Sequence, residues 1–355
     1  MTHPLRPAPA PTRRSAWAGL TPQQVLDRYP PGRCDPLRVL EVLIELFNTQ
    51  HTAREKTVSH KTRHERAAFL RRFYVDLRAK AGFNTLPDPR RLRQKHLRAM
   101  AGVWSAEGLA AATIQTYLSF LRGLACWVGK PGLVRAPAFY GLTPTEYRRH
   151  ENALYDHSWS AQGVVAETVI EQVQAFDRYV GAALRLILAF GLRRKESVLC
   201  RPFAHAQEHP VQGLCLRVTG KGGRVRWLPV DSPARRDALT EAQQVVSHTD
   251  APLGDPTRDL RANLRRFDYV MAKFGLTHAV RGVTAHGLRH QVLIERYETL
   301  TGVAPPVRGS PDAIPRDQDL AARRTVAELA GHARPRASGA YLGGTGRGRR
   351  RKTPT

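Results

Sequence analysis

The sequence predicts a two-domain fold that is mainly α-helical with a small β-sheet. Three observations predict it. The chain has 355 residues, more than a single hydrophobic core usually serves. Its first third is written in amphipathic helical periods, and its second half places an apolar helix before two alternating runs joined by Gly220-Lys221-Gly222-Gly223.

The elements follow in chain order. Residues 1–34 carry Pro4, Pro7, Pro9, Pro11, Pro30 and Pro31 with few apolar residues, and read as a flexible Pro/Arg-rich arm. Residues 35–131 read as a helical domain. Asp35-Pro36 supplies a cap and a first-turn proline for a helix with Leu37, Leu40, Ile44 and Phe47 on one face. A second helix runs from Ser59 to Gly82, with Leu70, Phe73 and Leu77 inward and Lys61, Arg63, Arg66, Arg71, Arg72 and Arg78 largely outward. A third covers 90–104 and a fourth 110–128, which Gly129-Lys130-Pro131-Gly132 stops.

Periodicity is lost over 132–164, which reads as the linker, and residues 165–345 form the second domain. That domain opens with one long helix at 167–190, apolar nearly all round in its second half. Two strands follow. Leu214, Leu216 and Val218 alternate in the first, and Val225 and Trp227 in the second, with the glycine-rich turn making a hairpin. Helices are expected at 259–274, 287–300 and 317–330, and residues 346–355 form a basic tail.

Composition narrows the function. The chain carries 56 Lys and Arg against 30 Asp and Glu, a formal charge of +26 spread along its length. Such a chain seeks a polyanion. Double-stranded DNA is the expected partner, because neutralising phosphates releases counterions and guanidinium grips phosphate oxygens in a fork. A ribosomal or chromatin-like basic protein is the plain alternative. Because charged helix faces are by default solvated, Lys61, Arg63, Arg71 and Arg224 are assigned to DNA contact only in combination with the rest of the chain.

No run approaches the roughly 18 consecutive apolar residues of a membrane span, and residues 1–14 lack a signal peptide's apolar stretch. A cytoplasmic, nucleoid-associated protein without membrane attachment is expected. Cys34, Cys126, Cys200 and Cys215 show neither C-x-x-C nor finger spacing, which argues against disulfides and structural zinc.

Five separated segments carry the chemistry: Gly191-Leu192-Arg193-Arg194-Lys195-Glu196, the Lys221 hairpin, His286-Gly287-Leu288-Arg289-His290, Leu329-Ala330-Gly331-His332, and Tyr341. Each is weak alone. Together, in this order, they resemble the tyrosine recombinase or phage integrase family, in which G-L-R-x-x-E, a hairpin lysine, H-x-x-R-H, L-G-H and a terminal tyrosine occur. His332 precedes Tyr341 by nine residues, the family's separation. Ser59-His60-Lys61-Thr62, Ala112-Thr113-Ile114-Gln115 and Tyr341-Leu342-Gly343 resemble integrases of bacterial mobile elements in particular. Two departures stand out: Ala330 replaces a residue that is often leucine, and a Pro-rich insertion at 302–315 lengthens the span between Arg289 and His332.

The resemblance implies the two-domain tyrosine-recombinase architecture, a helical core-binding domain plus a mixed α+β catalytic domain. It implies a site-specific DNA recombinase or integrase that cleaves and rejoins DNA through a 3′-phosphotyrosyl intermediate, with no cofactor, metal or ATP. A homotetramer on paired sites and accessory DNA-bending or directionality proteins are implied as well. The catalytic set would be Arg193, Lys221, His286, Arg289, His332 and the nucleophile Tyr341, supported by Glu196 and His290.

These residue types suit that chemistry. Cleaving a phosphodiester passes through a pentavalent phosphorus whose nonbridging oxygens gather negative charge, which preorganised cations stabilise. Arg193 and Arg289 fit that task, and His332 can add a hydrogen bond to the same phosphate. The phenol of Tyr341 must lose its proton; neighbouring arginines favour the phenolate and His286 can accept the proton. Lys221 suits the general acid for the leaving 5′ oxygen, while Glu196 and His290 orient the arginines and backbone.

Other motifs fail on inspection. Gly222 stands where a phosphate loop needs Ser or Thr, Gly287 stands where a zinc protease helix needs Glu, and the glycines of 343–348 follow no strand. Two competitors remain, a type IB topoisomerase with the same chemistry and a non-catalytic DNA-binding protein of the same fold. The recombinase-style H-x-x-R-H and the helical first domain speak against the former, and the complete catalytic set against the latter.

Overall fold

The computed structural model describes residues 17–51, 57–220, 223–309 and 314–344. The chain divides into two compact units, residues 1–149 and 150–355. The division falls within 132–164, and that stretch is far from structureless. Val134, Tyr140 and Leu142 are buried in the core of the first unit, and Trp159 in that of the second.

The first unit is helical. Residues 1–16 of the expected arm lie outside the described residues, but the remainder of it packs: α1 (Pro22–Asp27) opens on a reciprocal cap between Thr21 and Gln24 and buries Val25 and Leu26. α2 (Pro36–Phe47) starts where Asp35 accepts from the amide of Arg38 at 3.0 Å. It buries Val39, Leu40, Val42, Leu43 and Ile44, whereas Leu37, expected inward, is exposed. α3 (His60–Ala79) is capped by Ser59 and buries Leu70, Phe73 and Leu77, as their spacing requires.

Arg66 departs from the expected outward face. It is buried and donates to the side-chain and backbone oxygens of Asn48, both at 2.7 Å, and to the carbonyl of Gln50 at 3.1 Å. Asn48 caps α2, so this guanidinium satisfies acceptors at a helix end that have no helical partner. Burial pushes Arg66 down to about 10. α4 (Gln94–Ala106) begins only after a separate 3-10 turn at Pro89–Arg91, later than the helix expected from residue 90. α5 (Ala111–Trp127) completes the core, its Tyr117 stacked on Phe69 at 4.3 Å.

In the second unit the long helix expected at 167–190 is two helices, α6 (Ala166–Phe176) and α7 (Arg178–Phe190). Asp177 makes the break: its backbone is extended, its side chain accepts from the amide of Val180 at 3.0 Å, and Arg266 holds its other oxygen at 2.7 Å. Gly181 then brings α7 tight against α6, since a Cβ there would lie 2.4 Å from the Cα of Gln174. α7 ends at Gly191 in a left-handed conformation (φ +63°) and leads into α8 (Arg194–Val198).

A three-stranded antiparallel sheet follows in the order β1-β2-β3: β1 (Ala206–His209), β2 (Gly213–Thr219) and β3 (Val225–Pro229). β1 was not expected. The β2-β3 register pairs Arg217 with Trp227 and Thr219 with Val225, and Gly220 donates to the carbonyl of Arg224 at 2.7 Å across the hairpin. The inward face of β3 is the reverse of the expected one: Arg226 and Leu228 are buried, whereas Val225 is exposed. α9 (Pro233–Val245), α10 (Leu260–Lys273), α11 (Ala285–Thr301), α12 (Arg316–Leu329) and the one-turn α13 (Gly339–Leu342) complete the unit. Leu342 and Tyr341 of α13 share a small core with Leu293, Ile294 and Tyr297 of α11 and with Val326 of α12. Among the described residues no helix is long and apolar enough to cross a membrane.

Candidate active site

Arg289 lies on the buried face of α11 with no exposed surface. Its guanidinium donates to the carbonyl of Gly191, to the carbonyl of Ala330 at 2.6 Å, and through Nε to the hydroxyl of Tyr341 at 3.2 Å. Among the described residues no carboxylate bonds to it. Burial, and then the repulsion of Arg193, hold it below its ordinary value against the pull of Tyr341. A guanidinium tolerates this because it stays charged in proteins.

Arg193 reaches the same point from the other side. Its Nη2 donates to the carbonyl of Ala330 at 2.9 Å, so one backbone oxygen, at the end of α12, ties both arginines together. Its amide and Nη1 donate to the two carboxylate oxygens of Glu196 at 2.9 and 2.6 Å. Arg226 meets the same carboxylate at 3.2 and 2.7 Å. Burial alone would raise Glu196, yet the bonds and charge of Arg226, then Arg193, hold it at about 2.

Gly331 (φ +68°) ends α12 in a left-handed turn whose bonds include His332 N–H to the carbonyl of Ala327 at 2.8 Å. That turn puts the Nε2 of His332 3.3 Å from the hydroxyl of Tyr341. The rings of His290 and His286 stand 4.7 and 5.9 Å from the Tyr341 ring, and the Arg289 guanidinium carbon 5.5 Å from it. Tyr341 is thus buried beside Arg289 and three histidines.

All three histidines are neutral near pH 7. His286 keeps an exposed edge, but the protein packed around the rest of its ring, with Arg289 and Arg193, pushes it down to about 4. His332 is pushed to about 4 by burial and by Arg193 and Arg289, and His290 to about 3 by burial and then by His286 and His157.

Of the residues expected in the site, Arg193, Glu196, His286, Arg289, His290, His332 and Tyr341 come together. Lys221 and the segment 310–313 of the insertion lie outside the described residues. Three features were not anticipated: Arg226, the carbonyls of Gly191 and Ala330, and His157, whose ring packs edge-on to His290 at 5.6 Å. The available signal for Arg226 was an arginine in a strand whose alternation put it outward. His157 had none. The proposed DNA-contact residues are spread out. Lys61 is exposed beside Glu65 at 3.5 Å, Arg71 forms two bonds with Glu41 at 2.7 and 2.8 Å, Arg63 is half-buried, and Arg224 is exposed next to the hairpin turn.

Two family models match: "Integrase" over residues 159–295 and "Phage integrase, N-terminal" over 47–134, together well over half of the chain. The chain belongs to the integrase family of tyrosine recombinases. It is a site-specific recombinase, an enzyme of DNA recombination. Tyrosine recombinase XerC of Stutzerimonas stutzeri (strain A1501) is 25% identical over 250 residues, 69% of this chain and 73% of that protein. The fold is shared with a lambda integrase tetramer bound to a Holliday junction, at TM-score 0.54 and 13% identity over 97% of this chain and 87% of that one. XerH site-specific recombinase bound to difH substrate, in a pre-cleavage complex, matches at TM-score 0.50 and 17% identity over 87% and 81%. The integrase model covers Arg193, Lys221, His286 and Arg289; His332 and Tyr341 lie beyond its end and enter through the geometry above.

Proposed function

We propose that this recombinase cleaves and rejoins duplex DNA through Tyr341, forming a 3′-phosphotyrosyl link. One observation carries the reading: the Tyr341 hydroxyl sits between Arg289 at 3.2 Å and His332 at 3.3 Å, in a pocket whose buried arginine has no bonded carboxylate among the described residues. Such a pocket favours an anion beside the nucleophile.

In the proposed step the phenolic oxygen attacks phosphorus, the phosphorus–O5′ bond breaks, and its electron pair leaves on the 5′ oxygen. Arg193 and Arg289 stabilise the charge on the nonbridging oxygens, with His332 donating to the same phosphate. His286, neutral near pH 7, takes the phenol proton, and Lys221 supplies a proton to the 5′ oxygen. The phosphotyrosyl link conserves the energy of the broken phosphodiester bond, so a 5′-hydroxyl can reverse the step without ATP, and arginines carry the role a metal would otherwise serve.

The first unit is the proposed core-binding domain, with Lys61, Arg63 and Arg71 on DNA, and the second the catalytic domain, with Arg224 beside the substrate. The lambda integrase and XerH structures are described as bound to a Holliday junction and to a substrate, and the former as a tetramer. By analogy four protomers act on paired sites, at the nucleoid of the cytoplasm, with accessory DNA-bending or directionality proteins biasing the outcome. A suicide duplex carrying the cognate core site tests the reading. Wild type is expected to accumulate a covalent adduct and Tyr341→Phe none, with equal duplex affinity. Adduct formed by Tyr341→Phe overturns it.

A further inference from the structure

Arg226 is an arginine on the inward face of a strand, and its place in the site calls for a cause. Both its terminal nitrogens bond to Glu196, whose oxygens also receive the side chain and amide of Arg193. Among the described residues its Nε is buried without a partner, and the Glu196 carboxylate is the group that orients it. Two glycines lie flush against the guanidinium. A Cβ at Gly331, just before His332, would come within 3.0 Å of its Nη1, and one at Gly220, just before Lys221, within 3.3 Å. Arg226 therefore touches three of the segments that bear proposed catalytic residues.

The charges explain what it does there. Glu196 fixes the direction of Arg193, but a carboxylate at 2.6 Å also cancels the charge that Arg193 is meant to offer a phosphate. With Arg226 present the cluster holds three guanidiniums, those of Arg193, Arg226 and Arg289, against one carboxylate.

We propose that Arg226 is a positioning residue that offsets the charge of Glu196, so that Glu196 can orient Arg193 without neutralising it. This rests on the reading of Tyr341 as nucleophile for its rate effects, but its electrostatic half can be measured without cleavage.

The experiment compares wild type, Arg226→Gln, Arg226→Lys and the double variant Arg226→Gln/Glu196→Gln. Adduct formation on the suicide duplex is read alongside duplex affinity, melting temperature and the NMR titration of His332. Arg226→Gln is expected to slow adduct formation about 100-fold, a typical effect of disturbing one preorganised charge. Duplex affinity should stay within about threefold, since the phosphate contacts along the DNA remain. Arg226→Lys keeps the charge and recovers part of the rate.

Removing Glu196 as well is the deciding arm. Charge balance predicts that the double variant is about tenfold faster than Arg226→Gln, because the uncompensated carboxylate is gone. His332, held down in part by Arg226, should titrate higher in Arg226→Gln and lower again in the double variant. A double variant no faster than Arg226→Gln, or a His332 midpoint that Arg226→Gln leaves unmoved, overturns the proposal. The Tyr341→Phe control reports separately on the nucleophile.

Discussion

A fully buried arginine must satisfy its donors or destabilise the fold, and Arg289 satisfies them with two backbone carbonyls and a phenol. These acceptors orient the cation without discharging it, which suits a group that must meet a phosphate. Arg289→Ala leaves the carbonyls of Gly191 and Ala330 without this donor and opens a cavity at the end of α7. A loss of about 2–4 kcal/mol is expected in a urea melt, with adduct formation at least about 100-fold slower. Arg289→Lys keeps the charge, but one ammonium cannot reproduce a planar fork spanning three acceptors, so most of the rate loss should persist. Arg289→Ala or Arg289→Lys cleaving at the wild-type rate would remove Arg289 from the proposed mechanism. Ala330 gives the site its carbonyl, which any residue would supply, while its methyl is buried in the small core that holds Tyr341.

At the scale of elements, the site is assembled from helix ends. Arg193 caps the start of α8, Gly191 ends α7, Ala330 ends α12 and Tyr341 rides on one turn packed against α11. Helix ends carry backbone groups with no helical partner, and these are what Arg193 and Arg289 bond to. The angle between α6 and α7 sets where Gly191 lies. Gly181 packs close against α6, and Gly181→Ala would drive a methyl into the backbone of α6 at Gln174. The expected cost is about 1–3 kcal/mol, read from thermal melts, with a further loss of cleavage as α7 shifts. An unchanged melting temperature would show that α6 and α7 can part without disturbing the core.

For the whole molecule, the burial of three histidines around Tyr341, with arginines beside them, makes stability depend on pH. His286, His290 and His332 titrate near 4, 3 and 4 in the fold, below the ordinary 6.5. Between these values the unfolded chain binds more protons than the folded one, so stability rises with pH. Their contribution is complete above about pH 6.5 and is lost as pH falls through about 4 to 3; Glu196, held near 2, adds a loss below its ordinary 4.5. Thermal melts should therefore decline from pH 6.5 downward, before most carboxylates titrate. His290→Gln, which removes the most depressed of the three, should flatten that decline. A wild-type melting temperature constant from pH 6.5 to 4 would contradict this account of the histidines.

The sequence by itself determined the local structure that depends on short spacing. Asp35-Pro36 and Ser59 start helices where they stand, Leu70, Phe73 and Leu77 face inward, and Arg289 and His290 lie on the helix expected at 287–300, which starts earlier, at Ala285, and so carries His286 as well. Order and spacing also carried the family resemblance. Alternation failed at Arg226 and helical period at Arg66, because both rules send a charge outward unless a partner is known. The partners, Glu196 and Asn48, lie 30 and 18 residues earlier in the chain. The break at Asp177 has a local cap on Val180, but the ion pair that holds Asp177 comes from Arg266, 89 residues away, and was hidden. Only the tertiary structure could decide these points: a buried charge is stable or costly according to what stands opposite it, and that neighbour is chosen by folding.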